Sequence, residues 1–195
     1  YGISKKIMPL IHLPVQSGSN KVLKLMNRKH LIKDYIKIFE RLKKINSAIE
    51  FSSDFIIGYP GEEEKDFLET LDLIRKIKFI NSFSFIFSPR PGTTASNLNL
   101  INRKISLSRL EQVQKELSNN QIRMNKLLED NIIDVLVENK TKKNDRFFGR
   151  SEYMTSVIFD GDHDDIGKIV KVKINKSSQN SLFGHKIKTT KLRVA

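Results

Sequence analysis

Three segments of this chain share one pattern, in which an apolar run stops abruptly at small, polar or glycine residues and a helical pattern follows. They are HLPVQSGS from His12, SSDFIIGYPGEE from Ser52 and FSFIFSPRPGT from Phe83. In α/β folds, ligand-contacting groups lie at the carboxyl ends of strands, where loop N–H groups and helix N-termini converge. The repeated pattern therefore predicts a single ligand site formed by three strand ends.

Strands and helices alternate through the first two thirds of the sequence. Apolar runs predict strands at 7–15, 49–57 and 81–87, and spacing of three and four residues predicts helices at 20–27, 32–45, from Glu62 onward, and at 106–128. This order favours parallel strands with right-handed crossovers, as in half of a barrel-like sheet. The first strand has nothing before it to pair with, and the chain begins at Tyr1. We therefore expect a piece of a longer protein.

The pattern changes near residue 127. Short apolar runs at 132–138, 147–159, 166–174 and 181–189 are separated by turn-forming residues. Such spacing is typical of a small β-barrel of the oligonucleotide-binding type. The sequence therefore predicts two domains, residues 1–126 and 127–195.

Charge and cysteine content limit the chemistry. The 35 Lys and Arg residues exceed the 22 Asp and Glu residues, giving a net charge of +13. A basic surface favours RNA, DNA or anionic membranes, although enrichment in Lys, Asn and Ile can also reflect biased coding composition.

There is no cysteine, so this chain forms no disulfide and ligates no iron–sulfur cluster through thiolates. The four scattered histidines lack zinc-site spacing, and we predict no metal site. Without a long apolar run or a signal pattern, a soluble cytoplasmic protein is expected.

The motifs, taken in order, resemble those of the MiaB-type tRNA methylthiotransferases, a branch of the radical S-adenosylmethionine (SAM) enzymes. The resemblance covers nearly the whole chain and rests on the following segments: HLPVQSGS, LKLMNRKH, SSDFIIGYPGEE, FSPRPGTTA, FFGRSE, IGKIVKVKI and NSLFGHKI. It implies an α/β fold class, with the C-terminal half of a radical-SAM partial (βα) barrel followed by a small all-β, OB-like TRAM domain.

The resemblance also implies a function, with one departure. Family members use SAM and two 4Fe–4S clusters to methylthiolate the N6-isopentenyladenosine 3′ of the tRNA anticodon. Their cluster cysteines, in an N-terminal domain and a CxxxCxxC loop, have no counterpart here. We therefore expect an enzyme by family but a chain that is inactive alone. Its expected partners are a tRNA anticodon stem-loop and a separate N-terminal half, with no DNA or membrane. A non-catalytic RNA-binding protein and a degraded gene remnant remain alternatives.

Candidate site residues follow from the matching motifs, and none is predicted to be catalytic. The resemblance implies SAM contacts for Gln16, Ser17, Gly18, Arg28, Asp54, Ile56, Gly58 and Phe87. A separate candidate RNA surface is the basic turn with Lys140, Lys142, Lys143 and Arg146, together with Arg150, which follows Gly149. Simpler explanations stay open, namely a helix cap at residues 16–18, a solvated Arg28, core packing of Ile56 and a solvated lysine-rich turn.

Overall fold

A computed structural model describes residues 6–142 and 146–187 of the chain. The chain forms two compact units, Tyr1–Asn120 and Gln121–Ala195, and the division falls within the longest helix. The proposed domain boundary at 126/127 stays a prediction. In the part of the chain that the structure describes, no helix has the length and apolar character that crossing a membrane would require.

The first unit is built from parallel strand pairs and helices. Its elements are β1 (Leu10–His12), α1 (Asn20–Leu25), α2 (Ile32–Ile45), β2 (Glu50–Ser52), β3 (Asp54–Ile57), α3 (Glu64–Ile77), β4 (Phe83–Ile86) and the start of α4 (Arg103–Leu127). β1 pairs with β2 and β3 pairs with β4, both in parallel. The alternating order agrees with the predicted fold class.

Two predicted strands are shorter than expected. The strand predicted at 7–15 is confined to β1, because Pro9 and Pro14 on either side have no N–H to donate. The strand predicted at 49–57 divides at Ser53 into β2 and β3. The Ser53 hydroxyl accepts the Val15 N–H at 2.9 Å, and the Ser53 N–H donates to the Ser82 hydroxyl at 2.9 Å. Side-chain hydroxyls thus replace backbone partners, and the two halves of the segment pair with different strands.

The core of the first unit lies between the strands and helices α2 and α3. Its largest fully buried side chains include Phe51, Phe55, Phe67 and Phe79. On β4 the pattern is reversed, because Phe83 and Phe85 are 61% and 56% exposed. The register places Asp54 beside Phe83 and Ile56 beside Phe85, so these four residues share the open face of the β3–β4 pair.

Helix α4 begins at Arg103, three residues before the predicted start at Ser106. The Asn102 side-chain oxygen accepts the Lys104 N–H at 2.9 Å, and the Asn102 carbonyl accepts the Ser106 N–H. An asparagine that satisfies the first free N–H groups of a helix stabilises an earlier start.

The second unit is a closed five-stranded barrel. Its strands are β5 (Ile132–Lys140), β6 (Phe147–Ser151), β7 (Ser156–Asp160), β8 (Ile169–Ser177) and β9 (Ser181–Lys186), arranged in the order β5-β6-β7-β9-β8. β7 and β9 are parallel and the other neighbours are antiparallel. The strand predicted at 147–159 is in fact a hairpin, which turns at Met154 with a φ of 58°. A Cβ at Gly149 or Gly184 would overlap the backbone of a neighbouring strand, so the wall of the barrel needs glycine at both positions.

Candidate functional site

Gln16 lies at the predicted strand end, where its backbone forms a parallel bridge with Phe55 of β3. Its backbone N–H donates to the Asp54 carbonyl at 3.0 Å, and its carbonyl accepts the Ile56 N–H at 2.9 Å. A left-handed φ of 73° turns the chain at this point. The Gln16 side-chain amide forms no hydrogen bond with the residues that the structure describes, although the residue is only 7% exposed. Its donors and acceptor are therefore available to a ligand.

Asp54 lies next to Gln16 and has a partly exposed carboxylate. Its Oδ2 is 3.6 Å from His12 Nε2, and His12 Nδ1 is 3.0 Å from the Ser52 hydroxyl. His12 is therefore the ionisable neighbour of Asp54, although the sequence analysis did not include His12 in the site. The sequence feature that could have identified His12 is its position at the start of the HLPVQSGS motif.

Ser17 and Gly18 are used for packing against α3. The Ser17 hydroxyl lies 3.3 Å from the Thr70 hydroxyl, and the Gly18 N–H donates to the same oxygen at 2.9 Å. A Cβ at Gly18 would overlap the backbone of Glu69 and Thr70. Gly18 is therefore required for close packing, and a SAM contact from these two residues stays a prediction.

A helix cap was the alternative explanation for residues 16–18, but the cap position of α1 is one residue further along the chain. Ser19 is the N-cap residue of α1, but its side chain makes no cap hydrogen bond and instead donates to Asp66 at 2.6 Å. Asp66 also accepts Lys21 Nζ at 3.0 Å and the Glu63 N–H at 2.9 Å. Burial alone would raise the pKa of Asp66, but these hydrogen bonds, led by that from Ser19, lower it below its usual range. The carboxylate therefore ties the HLPVQSGS turn to α3.

Gly58 and Glu62 form a second strand-end turn, which a side chain of α4 holds in place. The buried Glu62 carboxylate accepts the Gly58 N–H at 3.2 Å and Arg109 Nη1 at 2.8 Å. Arg109 also donates to Glu64 and lies 5.3 Å from the centre of the Phe67 ring. Burial raises the pKa of Glu62, while the Gly58 N–H and Arg109 oppose that change.

Sequence reasoning missed this pair. It placed Glu62 in the first turn of a helix, whereas α3 begins only at Glu64 with Glu63 as its N-cap. For Gly58 the resemblance implied a SAM contact, which stays a prediction. The structure gives the residue another constraint, a φ of 73° and a Ser106 hydroxyl only 2.5 Å from where a Cβ would lie.

The three remaining predicted SAM residues have separate surroundings. Ile56 is partly exposed on the open face. Phe87 donates its N–H to Ile57 at 2.8 Å and packs edge-on against Tyr59 at 4.8 Å. Arg28 is exposed after α1, and its N–H donates to the Leu23 carbonyl. The structure thus brings Gln16, Asp54 and Ile56 together, while its contacts do not link Arg28 to them.

Of the predicted RNA residues, Lys140 ends β5, Lys142 lies in the turn that follows, Arg146 precedes β6 and Arg150 lies on β6. Thr141 donates twice to the Arg146 carbonyl and closes the turn that carries Lys140 and Lys142. Arg146 lies 3.4 Å from Asp160. Lys143 lies outside the described residues.

Arg150 has a more defined setting than the lysines. Its guanidinium donates to the Met154 carbonyl and to the Ser156 hydroxyl, lies 3.7 Å from Glu138, and stacks 5.0 Å from the centre of the Phe148 ring. The side chain is therefore held in place on the barrel by four contacts and is 36% exposed.

Comparison with known families gives these two units a class. Residues 3–74 match the Radical SAM superfamily, and residues 128–187 match the TRAM domain. The chain thus combines a radical SAM segment with a TRAM barrel, and the predicted fold class is confirmed.

Curated relatives make the likeness more specific. The chain is 62% identical over all of its 195 residues to the tRNA-2-methylthio-N(6)-dimethylallyladenosine synthase of Pelagibacter ubique. Synthases of the same name from Ruthia magnifica and Rickettsia bellii are 46% and 45% identical over 93% and 94% of the chain. The predicted resemblance to the tRNA methylthiotransferases is therefore confirmed, and the two alternative functions are not favoured. The chain spans 44%, 41% and 42% of the length of these relatives.

Proposed function

We propose that this chain provides the SAM-contacting strand ends and the tRNA-binding barrel of a tRNA methylthiotransferase. The observation that carries the proposal is the 62% identity to a synthase that modifies tRNA adenosine, which extends over both structural units. The reaction would be methylthiolation of the dimethylallyladenosine 3′ of the anticodon, in the cytoplasm.

The groups near the end of β3 suit SAM, because Gln16 is bonded through its backbone to Asp54 and Ile56. An unbonded amide on Gln16 and a partly exposed carboxylate on Asp54 suit ribose hydroxyls and the adenine amine, and Ile56 offers an apolar surface to the base. When bound, SAM would supply the deoxyadenosyl group for radical chemistry, while the protein orients it. The role of Glu62 and Arg109 would be to hold the Gly58 turn in place beside this surface.

A 4Fe–4S cluster does not fit this chain, because the sequence contains no cysteine and thus no thiolate ligand. We propose that any cluster ligands come from a separate or preceding segment, and that the chain alone does not turn over SAM.

The RNA role would fall to the basic turn and Arg150. Lys142 is exposed and has no ion pair within the described residues, so its charge is available to a phosphate. Phosphate contacts release counterions, and each contact contributes roughly 0.9 to the slope of log affinity against log salt.

A salt titration of the full chain against an anticodon stem-loop, followed by fluorescence anisotropy, tests this proposal. We expect measurable binding, and we expect a Lys142→Glu/Lys143→Glu variant to bind more weakly with a slope reduced by roughly two. Lys33→Glu/Lys37→Glu is the matched control, because it makes the same charge change at exposed positions on α2. Equal losses in both variants would show a general effect of net charge and would contradict a role for the barrel turn.

A further inference from the structure

Three apolar side chains form a row across the outer surface of the barrel. The register pairs Phe148 on β6 with Ile158 on β7, and Ile158 with Phe183 on β9. All three are partly exposed, whereas their chain neighbours Phe147 and Val157 are buried in the barrel core. The row therefore faces outward, and we call it the aromatic row.

The spacing of the aromatic row suits planar rings. Neighbouring strands lie roughly 4.8 Å apart, so Phe148 and Phe183 are separated by about 10 Å with Ile158 between them. The row is one residue wide along the strands. It is flanked on one side by Ser156 and Ser181, which the register pairs with each other. A narrow apolar row beside hydroxyl groups offers little area to an apolar helix of another protein, but it can support separate flat groups.

A basic side chain lies beside each of the two aromatic rings. The Arg150 guanidinium lies 5.0 Å from the centre of the Phe148 ring, and the register places Lys176 beside Phe183. The nearby carboxylates of Glu138 and Asp160 are each within 4 Å of an arginine, at 3.7 Å from Arg150 and 3.4 Å from Arg146. The surface around the row is thus polar and has cations placed for an anionic ligand.

We propose that the aromatic row stacks unpaired RNA bases, with Phe148 and Phe183 each supporting one base. Aromatic side chains on a sheet surface, with arginine planes and basic residues beside them, bind single-stranded bases because every base has a π-face. The Ser156 and Ser181 hydroxyls would contact base edges or ribose, and Lys176 a phosphate. This inference rests on the proposed RNA function and adds the class of ligand that the barrel surface takes, an unpaired loop nucleotide.

The test uses the full chain and an anticodon stem-loop carrying 2-aminopurine at single loop positions. A Phe148→Leu/Phe183→Leu variant keeps apolar bulk and removes the ring faces. We expect at least a tenfold loss of affinity with an unchanged salt slope, together with loss of the fluorescence quenching that stacking produces. Phe148→Tyr/Phe183→Tyr is the matched control, because it keeps both rings, and it should retain affinity and quenching.

The outcomes separate this inference from the RNA function itself. If the leucine variant binds as tightly as the unaltered chain, while the Lys142→Glu/Lys143→Glu variant binds more weakly, the aromatic row is not a base-stacking site and the RNA function stands. If the unaltered chain binds no stem-loop, both fail. Should the leucine variant not fold, NMR of the unaltered chain decides: ring resonances of Phe148 and Phe183 must shift on titration with the stem-loop, and unmoved resonances overturn the inference.

Discussion

Removal of Arg109 tests how the Gly58 turn is held. The side chains of Arg109 and Glu62 are 8% and 1% exposed, and their Nη1–Oε1 distance is 2.8 Å. Arg109→Met keeps an unbranched chain of similar length but leaves the Glu62 carboxylate buried without its cation. Breaking a buried pair by removing one partner costs about 3–5 kcal/mol. We expect the free energy of unfolding at pH 7 to fall by this amount, measured by urea denaturation followed by far-UV circular dichroism.

The pH dependence of the stability loss in Arg109→Met shows whether the buried Glu62 charge causes it. Burial already raises the pKa of Glu62 above its value in the unfolded chain, and loss of Arg109 raises it further. The folded variant therefore takes up a proton at a higher pH than the unfolded chain, and its stability falls as pH rises through that window. The deficit relative to the unaltered protein should thus be smaller at pH 5 than at pH 7.

Two further variants complete this experiment. Glu62→Gln combined with Arg109→Met removes the buried charge. The double variant should therefore lose less free energy of unfolding than the two single variants lose together, by about 1–3 kcal/mol. Glu64→Gln is the control, because Glu64 is 67% exposed and its contact with Arg109 should contribute less than about 1 kcal/mol. An Arg109→Met deficit below about 1 kcal/mol, equal at pH 5 and pH 7, would refute the reasoning.

Other predictions follow from single contacts. Gly18→Ala should destabilise the first unit by about 3 kcal/mol in the urea assay, because a Cβ would overlap the backbone of α3. Gly92 has a φ of 79° but open space around it, so Gly92→Ala should lower the free energy of unfolding by only about 1 kcal/mol. Glu129 has its pKa lowered to about 2 by Lys126 and Ser177, so its contribution to barrel stability is present above pH 4.5 and is lost toward pH 2. Glu129→Gln should flatten acid unfolding over that window, and an unchanged acid transition would contradict the assignment. Anaerobic reconstitution with iron and sulfide should leave no stoichiometric iron on the chain, and bound iron at cluster stoichiometry would contradict the absence of ligands.

Local patterns predicted the regular elements well where side-chain periodicity determined them. The helix predicted at 32–45 is α2 at both ends, since apolar residues recur every three or four positions and Tyr35 is buried. Strands β5, β8 and β9 were found within a few residues for the same reason, whereas β6 and β7 were predicted as one strand. Elements determined by single polar side chains were not predicted, as the division at Ser53 and the early start of α4 after Asn102 demonstrate.

The convergence of the strand ends was predictable, but the contacts around them were not. The three motifs proposed Gln16 and Asp54 as site residues, and the backbone bonds of Gln16 join these two residues. They gave no sign of Arg109, which is 47 residues from Glu62 and carries an ordinary helical sequence context. The aromatic row was hidden because adjacent apolar residues such as Phe147 and Phe148 do not show which ring faces the core.

A chimera tests the proposal that this chain supplies the SAM- and tRNA-contacting part of a methylthiotransferase. The matching 44% of the Pelagibacter ubique synthase would be replaced by this chain, and tRNA from cells that depend on the chimera would be analysed by mass spectrometry. We expect the 2-methylthio nucleoside to be present in this tRNA. We expect the product to be lost when Gln16 and Asp54 are both changed to Ala. A chimera that folds and carries its clusters yet leaves tRNA unmodified would contradict the proposed function.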